Sequence, residues 1–72
     1  MSEIFVALLG EGVDVWRPVE ARHLHDNIYR IEDQPYDRDV ETWQFEPGTE
    51  VTCEMVDASD GPILAATRST AS

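Results

Sequence analysis

The sequence contains no lysine, a single cysteine and no apolar run long enough to cross a lipid bilayer. Its five basic residues are all arginine and stand against fifteen acidic ones, which gives a formal charge of −10. Nucleic acids and anionic lipids take most of their protein affinity from clustered lysine and arginine. We therefore expect neither nucleic acid nor a membrane as a partner, and a basic or neutral protein fits the charge best.

The shortage of cysteine and of basic N-terminal residues also limits where the chain would work. Cys53 has no second cysteine with which to form a disulfide or a thiolate-rich metal site. The start of the chain lacks the basic region of a signal peptide, and the apolar stretch over residues 4–9 is short. We expect a cytoplasmic protein with no metal or other cofactor.

A chain of 72 residues is enough for one small domain. Domains near 60 residues bury only about 60% of the surface of the unfolded chain, so stability should be modest. We expect a single domain over residues 1–68 and a disordered tail over residues 69–72. Little room is left for a buried active-site cavity, and we do not expect an enzyme.

Apolar and polar residues alternate along most of the chain, and no stretch of ten residues carries a helical stripe. The alternation predicts about six short strands, the last over residues 63–67, with a type II turn at Pro47-Gly48 and with Trp43 in the core. Closing such strands removes exposed sheet edges. The pattern favours an all-β, small SH3-like barrel of five to six short antiparallel strands. An OB-like small barrel is the alternative, and the missing helix counts against it.

The hairpin between the second and third strands can be registered from its side chains. A three-residue loop over residues 25–27 pairs Ala21 with Ile31 on the inner face, and Asn27 suits the left-handed position of such a loop. A loop one residue shorter would place Arg22 on the core face, so we reject it.

The second strand, over residues 13–24, is interrupted at Arg17 and Pro18. Proline cannot donate to a ladder, so a bulge or a strand edge is expected there. Strict alternation would point Trp16 outward, where a tryptophan beside an arginine is typical of an interaction hot spot. A bulge would rotate Trp16 into the core, and this second position is the one that we favour.

Three segments resemble a known group of proteins. They are EGVDVWRPVEA over residues 11–21, NIYRI over residues 27–31 and ETWQFEPGTEVTCE over residues 41–54. They are similar to small uncharacterised bacterial proteins with the pattern EG-x-x-VWRPV and W-x-F-x-PG-x-x-V-x-C. The resemblance spans most of the chain and implies a compact bacterial β-protein, without assigning a role to any residue. The ALYDY-like segment of proline-peptide-binding SH3 domains is missing.

The strongest candidate for a functional site is the polar loop between the third and fourth strands. Its carboxylates would create a negative potential that steers a basic protein toward it. The Trp16-Arg17 pair would add an aromatic anchor beside it. The residues that we assign to partner binding are Glu32, Asp33, Tyr36, Asp37, Asp39, Glu41, Trp16 and Arg17.

Two groups of side chains have the residue types of a metal site, and neither is complete. His23 and His25 stand two residues apart, but His23 is expected on the inner face and a third ligand is missing. Asp37, Asp39 and Glu41 alternate, so an extended backbone would point three carboxylates one way. The glycine and the distant glutamate of an EF-hand loop are missing, and we expect a solvated acidic loop.

Cys53 is the remaining candidate for chemistry. A nucleophilic thiol needs a base or a cation to lower its pKa, and the adjacent Thr52 and Glu54 supply neither. Cys53 alternates with Val51 and Met55, which indicates a small side chain in the core.

These patterns predict a non-enzymatic protein-interaction module for a basic or neutral protein. Within binding functions, the alternatives are an immunity or antitoxin-type inhibitor and a DNA mimic with carboxylates spaced like phosphates. A small metal-dependent or enzymatic domain is the alternative from another class. Self-association through the strand edge at Pro18 also stays open.

Overall fold

A computed structural model describes residues 2–12 and 15–70, and within these ranges all regular secondary structure is β. The strands are β1 (Ser2–Leu9), β2 (Trp16–His25), β3 (Ile28–Ile31), β4 (Thr42–Trp43), β5 (Glu50–Ala58) and β6 (Gly61–Ser69). This part of the chain contains no helix long and apolar enough to span a membrane. The predicted beginning of the second strand at Val13 lies outside the described residues.

The strands form a small closed barrel, which confirms the predicted all-β barrel. Strands β1, β2, β3, β5 and β6 follow one another as antiparallel neighbours, and β6 then pairs with β1 at Phe5 and Ala65. This closing pair is parallel, unlike the antiparallel pairing predicted throughout. The reason is that the first and last of five alternating strands run in the same direction. The short β4 adds to the other end of β1.

Aliphatic side chains, one thiol and one indole fill the inside of the barrel. The buried cluster comprises Ile4, Val6, Val19, Ala21, Ile31, Trp43, Val51, Cys53 and Ala66. The core positions predicted for Trp43 and Cys53 are therefore confirmed. Met55 follows the same alternation along β5, yet its side chain is 63% exposed. It is exposed because β5 continues beyond the residues that β3 covers.

The hairpin of β2 and β3 has the predicted register, with Ala21 opposite Ile31. Its turn differs from the prediction, since β2 runs to His25 and its register shifts between His23 and His25. The bulge adds one residue to β2. A two-residue turn over residues 26–27 can therefore close the hairpin while Ala21 and Ile31 stay on the core face. Asp26, rather than Asn27, adopts the positive φ, at 47°.

Pro18 lies in a regular stretch of β2 and produces no bulge. The register with β1 is continuous from Ala21 to Trp16, with Phe5 opposite Pro18. The backbone groups of Glu20 point away from β1, where its N–H donates to Gln34 Oε1 over 3.0 Å. Backbone directions alternate along a strand, so the nitrogen of Pro18 also faces away from β1. The position where Pro18 lacks an N–H therefore lies on the side of β2 that does not pair with β1. Of the two predictions for this position, a bulge or a strand edge, the strand edge is the one that forms.

The turn after the fourth strand forms as predicted. Gly48 has a φ of 91°, and the N–H of Thr49 donates to the carbonyl of Glu46 over 3.1 Å. Glycine suits this position because it has no Cβ to oppose a positive φ. The N–H of Gly48 also donates to the carbonyl of Ile31 over 2.8 Å, which ties the turn to the end of β3.

The last strand is longer than the predicted 63–67. It begins at Gly61 and ends at Ser69, and the N–H of Thr70 donates to the carbonyl of Glu50 over 2.9 Å. Backbone pairing with β5 therefore continues past residue 68, where the sequence pattern placed the end of the domain. The rest of the predicted tail, residues 71–72, lies outside the described residues.

Candidate functional site

The polar loop after β3 is attached to the barrel by the amide of Gln34. Gln34 Oε1 accepts the N–H of Glu20 over 3.0 Å, and Gln34 Nε2 donates to the carbonyls of Glu20 over 2.9 Å and of Glu32 over 2.8 Å. The side chain thus pairs with the edge of β2 as a further peptide group would. This contact satisfies the backbone N–H and carbonyl of Glu20, a residue of β2 that β3 is too short to cover. It thereby fixes the start of the loop.

The end of the loop is fixed by the stacking of Tyr36 on Trp43. The ring centroids lie 4.4 Å apart with an angle of 19° between the planes. The backbone N–H of Trp43 donates to the hydroxyl of Tyr36 over 2.7 Å, and Trp43 Nε1 donates to Glu41 Oε1 over 2.7 Å. Trp43 is only 3% exposed, so the loop is anchored directly in the core.

The tip of the loop is a turn capped by Asp37. Asp37 Oδ1 accepts the N–H of Asp39 over 3.0 Å, and the carbonyl of Asp37 accepts the N–H groups of Val40 and Glu41 over 3.2 and 3.1 Å. The backbone turns here instead of extending, so it does not point the three carboxylates one way as an extended stretch would. No group of three histidine, cysteine or acidic side chains among the described residues is placed to hold a metal ion.

Two arginines neutralise part of the acidic loop. Arg17 Nε lies 3.5 Å from Glu41 Oε1, and Arg38 Nε donates to Glu46 Oε2 over 3.1 Å. The guanidinium of Arg38 lies 4.6 Å from the centroid of the Tyr36 ring, and its bond to Glu46 raises the pKa of Arg38. Asp37 and Asp39 have no such ion pair within the described residues.

A broad depression of ≈ 590 Å³ lies against this loop. Its lining comprises Arg17, Pro35, Tyr36, Asp37, Arg38, Val40 and Glu41. Val40 stands at the tip with 72% of its surface exposed. The structure thus brings four of the predicted partner-binding residues, Arg17, Tyr36, Asp37 and Glu41, into one place.

Glu32 and Asp33 belong to a separate depression of ≈ 340 Å³. It is lined by Arg22, Leu24, Arg30, Ile31, Glu32, Asp33 and Gly48. Arg22 and Arg30 face each other across β2 and β3. The predicted site is therefore divided, because the first two residues of the loop follow the outside of the hairpin and the rest turns over the end of the barrel.

Trp16 lies away from the loop, on the outer face of β2. The continuous register of β1 and β2 keeps strict alternation, so the favoured core position of Trp16 is wrong. Its ring is half-buried and borders a groove of ≈ 220 Å³ that is lined by Phe5, Trp16, Ala58, Ser59, Asp60 and Ile63. The indole Nε1 is buried there and has no hydrogen-bond partner among the described residues.

The two histidines are exposed at the end of the β2–β3 hairpin. The ring of His23 stacks on Tyr29 with centroids 4.7 Å apart, and His25 Nδ1 lies 3.5 Å from Asp26 Oδ2. His23 Nε2 also lies 2.5 Å from the carbonyl oxygen of Asp26. His23 lies on the same face of β2 as Ala21 and opposite Tyr29, as predicted, but its side chain is exposed because the core does not extend to this end of β2.

Cys53 is buried in the core, and its burial raises the pKa of the thiol to about 11. A nucleophilic cysteine requires the opposite shift, since the thiolate is the reactive form. The environment of Cys53 therefore favours packing over covalent chemistry.

Comparison with protein-family models, with curated proteins and with solved structures finds no match to this chain. The site must therefore be interpreted from its own geometry.

Sequence reasoning missed three side chains that shape the loop. Gln34, Arg38 and Val40 lie in the stretch assigned to the loop, but their contacts depend on residues distant in sequence or on the turn itself. Only the exposed Val40 left a signal, as an apolar residue within a run of charged ones.

Proposed function

We propose that this small acidic barrel is a non-enzymatic protein-interaction module that binds a basic protein surface. Its binding surface is residues 36–41, called here the loop face. The observation that supports the proposal is the 72% exposure of Val40 at the tip of a loop that is anchored in the core. An exposed apolar side chain beside Asp37 and Asp39 offers a partner both an apolar contact and opposite charge.

The order within the loop face supports this function. Because Tyr36, Glu41 and Trp43 are held by stacking and hydrogen bonds, little conformational entropy is lost when a partner docks. Glu41 is engaged by Trp43 and Arg17, and it acts as a support for the loop rather than as a contact. Asp37 and Asp39 carry the net charge that the partner meets.

The formal charge of −10 favours a basic partner over nucleic acid or anionic lipid. A single buried and reduced cysteine suits a reducing compartment, and we infer a cytoplasmic location from it.

The test compares the wild type with an Asp37→Asn/Asp39→Asn variant and with Val40→Ser. Asparagine at position 37 keeps an oxygen for the N–H of Asp39, so the turn is preserved. The matched control is Glu3→Gln/Glu11→Gln, which removes the same charge from exposed positions outside the loop. Each tagged protein is used to capture partners from a lysate of the source cell at low and at moderately high salt, and captured proteins are identified by mass spectrometry.

We expect one basic protein to be captured by the wild type and by the control, to weaken with salt, and to be lost in both loop variants. A protein captured equally by all four chains would contradict the proposal. Displacement of the captured protein by duplex DNA would show that the barrel occupies a DNA-binding surface, as a DNA mimic does.

A further inference from the structure

The strand β5 has an open edge along its second half. Its partner β3 covers only Glu50–Thr52, and the last backbone contact between them runs from the N–H of Cys53 to the carbonyl of Asn27, over 2.8 Å. From there β5 continues to Ala58 with β6 as its sole strand neighbour within the described residues. The chain turns back into β2 at Asp26, so β3 cannot follow it further.

The direction of the backbone groups along this edge follows from alternation. The N–H of Cys53 points toward β3, so the N–H and carbonyl groups of Met55 and Asp57 point to the same side. Pro62 agrees with this assignment, because it stands opposite Asp57 and has no N–H to offer β5. Met55 and Asp57 thus present two N–H groups and two carbonyls away from β6. We call this side of residues 55–57 the β5 edge.

The side chains around the β5 edge are acidic with one large apolar residue. Glu54, Asp57 and Asp60 are exposed, and residues 50–60 contain no arginine or histidine. Met55 is 63% exposed. Carboxylates on an edge strand discourage pairing with a strand of like charge. A second copy of this chain would bring two such acidic edges together and is therefore disfavoured.

We propose that the β5 edge binds an extended basic segment of another protein, which adds to the barrel as a further strand. The segment would hydrogen-bond to the backbone of Met55 and Asp57, place an apolar side chain on Met55 and set its basic side chains on the opposite face of the strand, beside Glu54. This surface is separate from the loop face, so the proposal stands or fails independently of the function proposed above. The β5 edge over residues 55–57 spans only about 10 Å, so a short peptide should bind weakly.

The test is amide hydrogen exchange of the full chain, followed residue by residue by NMR, with a short peptide of alternating arginine and valine as the probe. In the free protein, the amides of Met55 and Asp57 should exchange quickly, whereas those of Glu54 and Val56, which face β6, should exchange slowly. Saturating peptide should slow exchange at Met55 and Asp57 by about tenfold or more, and added salt should reverse the effect.

Two control peptides separate strand addition from charge attraction. A peptide of the same sequence with N-methylated backbone amides keeps its charge, but it cannot donate to the carbonyls of Met55 and Asp57 and its methyl groups keep it from lying alongside β5. It should therefore leave both amides unprotected. A peptide with glutamate in place of arginine should also fail. Equal protection by the methylated peptide would overturn the proposal.

Free-protein measurements can also overturn the proposal. Slow exchange of Met55 and Asp57 at every protein concentration would mean that the chain itself covers the edge. Protection that grows with protein concentration in the absence of peptide would identify a second copy as the occupant.

A variant provides an independent check. Met55→Pro removes the N–H of Met55, which the barrel does not use, and Met55→Ala removes the side chain while keeping that N–H. If both variants are folded by circular dichroism, Met55→Pro should lose peptide-induced protection of Asp57 and Met55→Ala should keep part of it. Retention of full protection in Met55→Pro would contradict the assigned direction of the backbone groups.

Discussion

The hydroxyl of Tyr36 accepts the backbone N–H of Trp43 over 2.7 Å, while the two rings stack with their centroids 4.4 Å apart. A residue of an exposed acidic loop thereby satisfies a backbone group of a core residue. Order in the loop and stability of the barrel are therefore coupled, and changes at the loop face must be checked for both.

Tyr36→Phe should destabilise the barrel. The substitution keeps the ring stack but leaves the N–H of Trp43 without its acceptor, which costs about 1–3 kcal/mol when the group is shielded from water. Urea unfolding measures the change in the free energy of unfolding. Tyr29→Phe is the matched control, since no hydrogen bond of the Tyr29 hydroxyl is found within the described residues. Equal effects of the two substitutions would mean that the Tyr36 hydroxyl is not an anchor.

The two tryptophans should respond differently to replacement by phenylalanine. Trp43 Nε1 donates to Glu41, whereas Trp16 Nε1 is buried without a partner. Trp43→Phe breaks a hydrogen bond to a charged group and should cost about 2 kcal/mol more than Trp16→Phe, which removes an unpaired donor. A double-mutant cycle with Glu41→Ala, which removes the acceptor, isolates the Trp43 bond. A cycle with no coupling energy would show that this bond does not hold the loop.

The stability of the barrel should fall in alkaline solution. Burial raises the pKa of Cys53 from 9.0 to about 11. A group whose pKa is higher in the folded state than in the unfolded chain makes its full contribution to the free energy of unfolding at pH values below the unfolded pKa. This contribution is lost as pH rises from about 9 toward about 11. Urea unfolding at several pH values measures the fall, and Cys53→Ala should reduce its slope. An unchanged slope in the variant would assign the fall to other groups.

Added NaCl should raise the melting temperature. A formal charge of −10 on a chain of 72 residues makes the folded state repel itself, and salt up to about 0.5 M screens that repulsion. The variant Glu3→Gln/Glu11→Gln/Asp57→Asn removes three exposed charges. It should melt higher than the wild type at low salt and gain less from NaCl. A melting temperature that falls or stays flat with salt would show that repulsion does not limit stability.

The strand pattern and the hairpin register were predictable because alternation is local. Ala21 pairs with Ile31 as the side-chain pattern predicts, and Gly48 takes the positive φ that its turn requires. The position of Trp16 was not predictable in this way. Its side depends on whether β2 bulges at Pro18, and that depends on which edge of β2 lies against β1.

The loop was predicted as a candidate site, but its internal arrangement was not. The inward position of Glu41 depends on the indole of Trp43, and the attachment at Gln34 depends on an edge of β2 that β3 leaves uncovered. Neither contact follows from the order of residues along the loop. The separation of Glu32 and Asp33 from the rest has the same cause, since the hairpin carries them to another side of the barrel.

The sequence by itself determined an acidic, all-β chain with its charge, its Pro47-Gly48 turn and its core stripe, because each of these properties depends on residue type and on spacing over a few positions. The tertiary structure decided how the ring closes, which carboxylates are held by arginine or indole, and which part of β5 stays open. Those features arise where strands distant in sequence meet or fail to meet, and strand length and tilt in the closed barrel set where that happens.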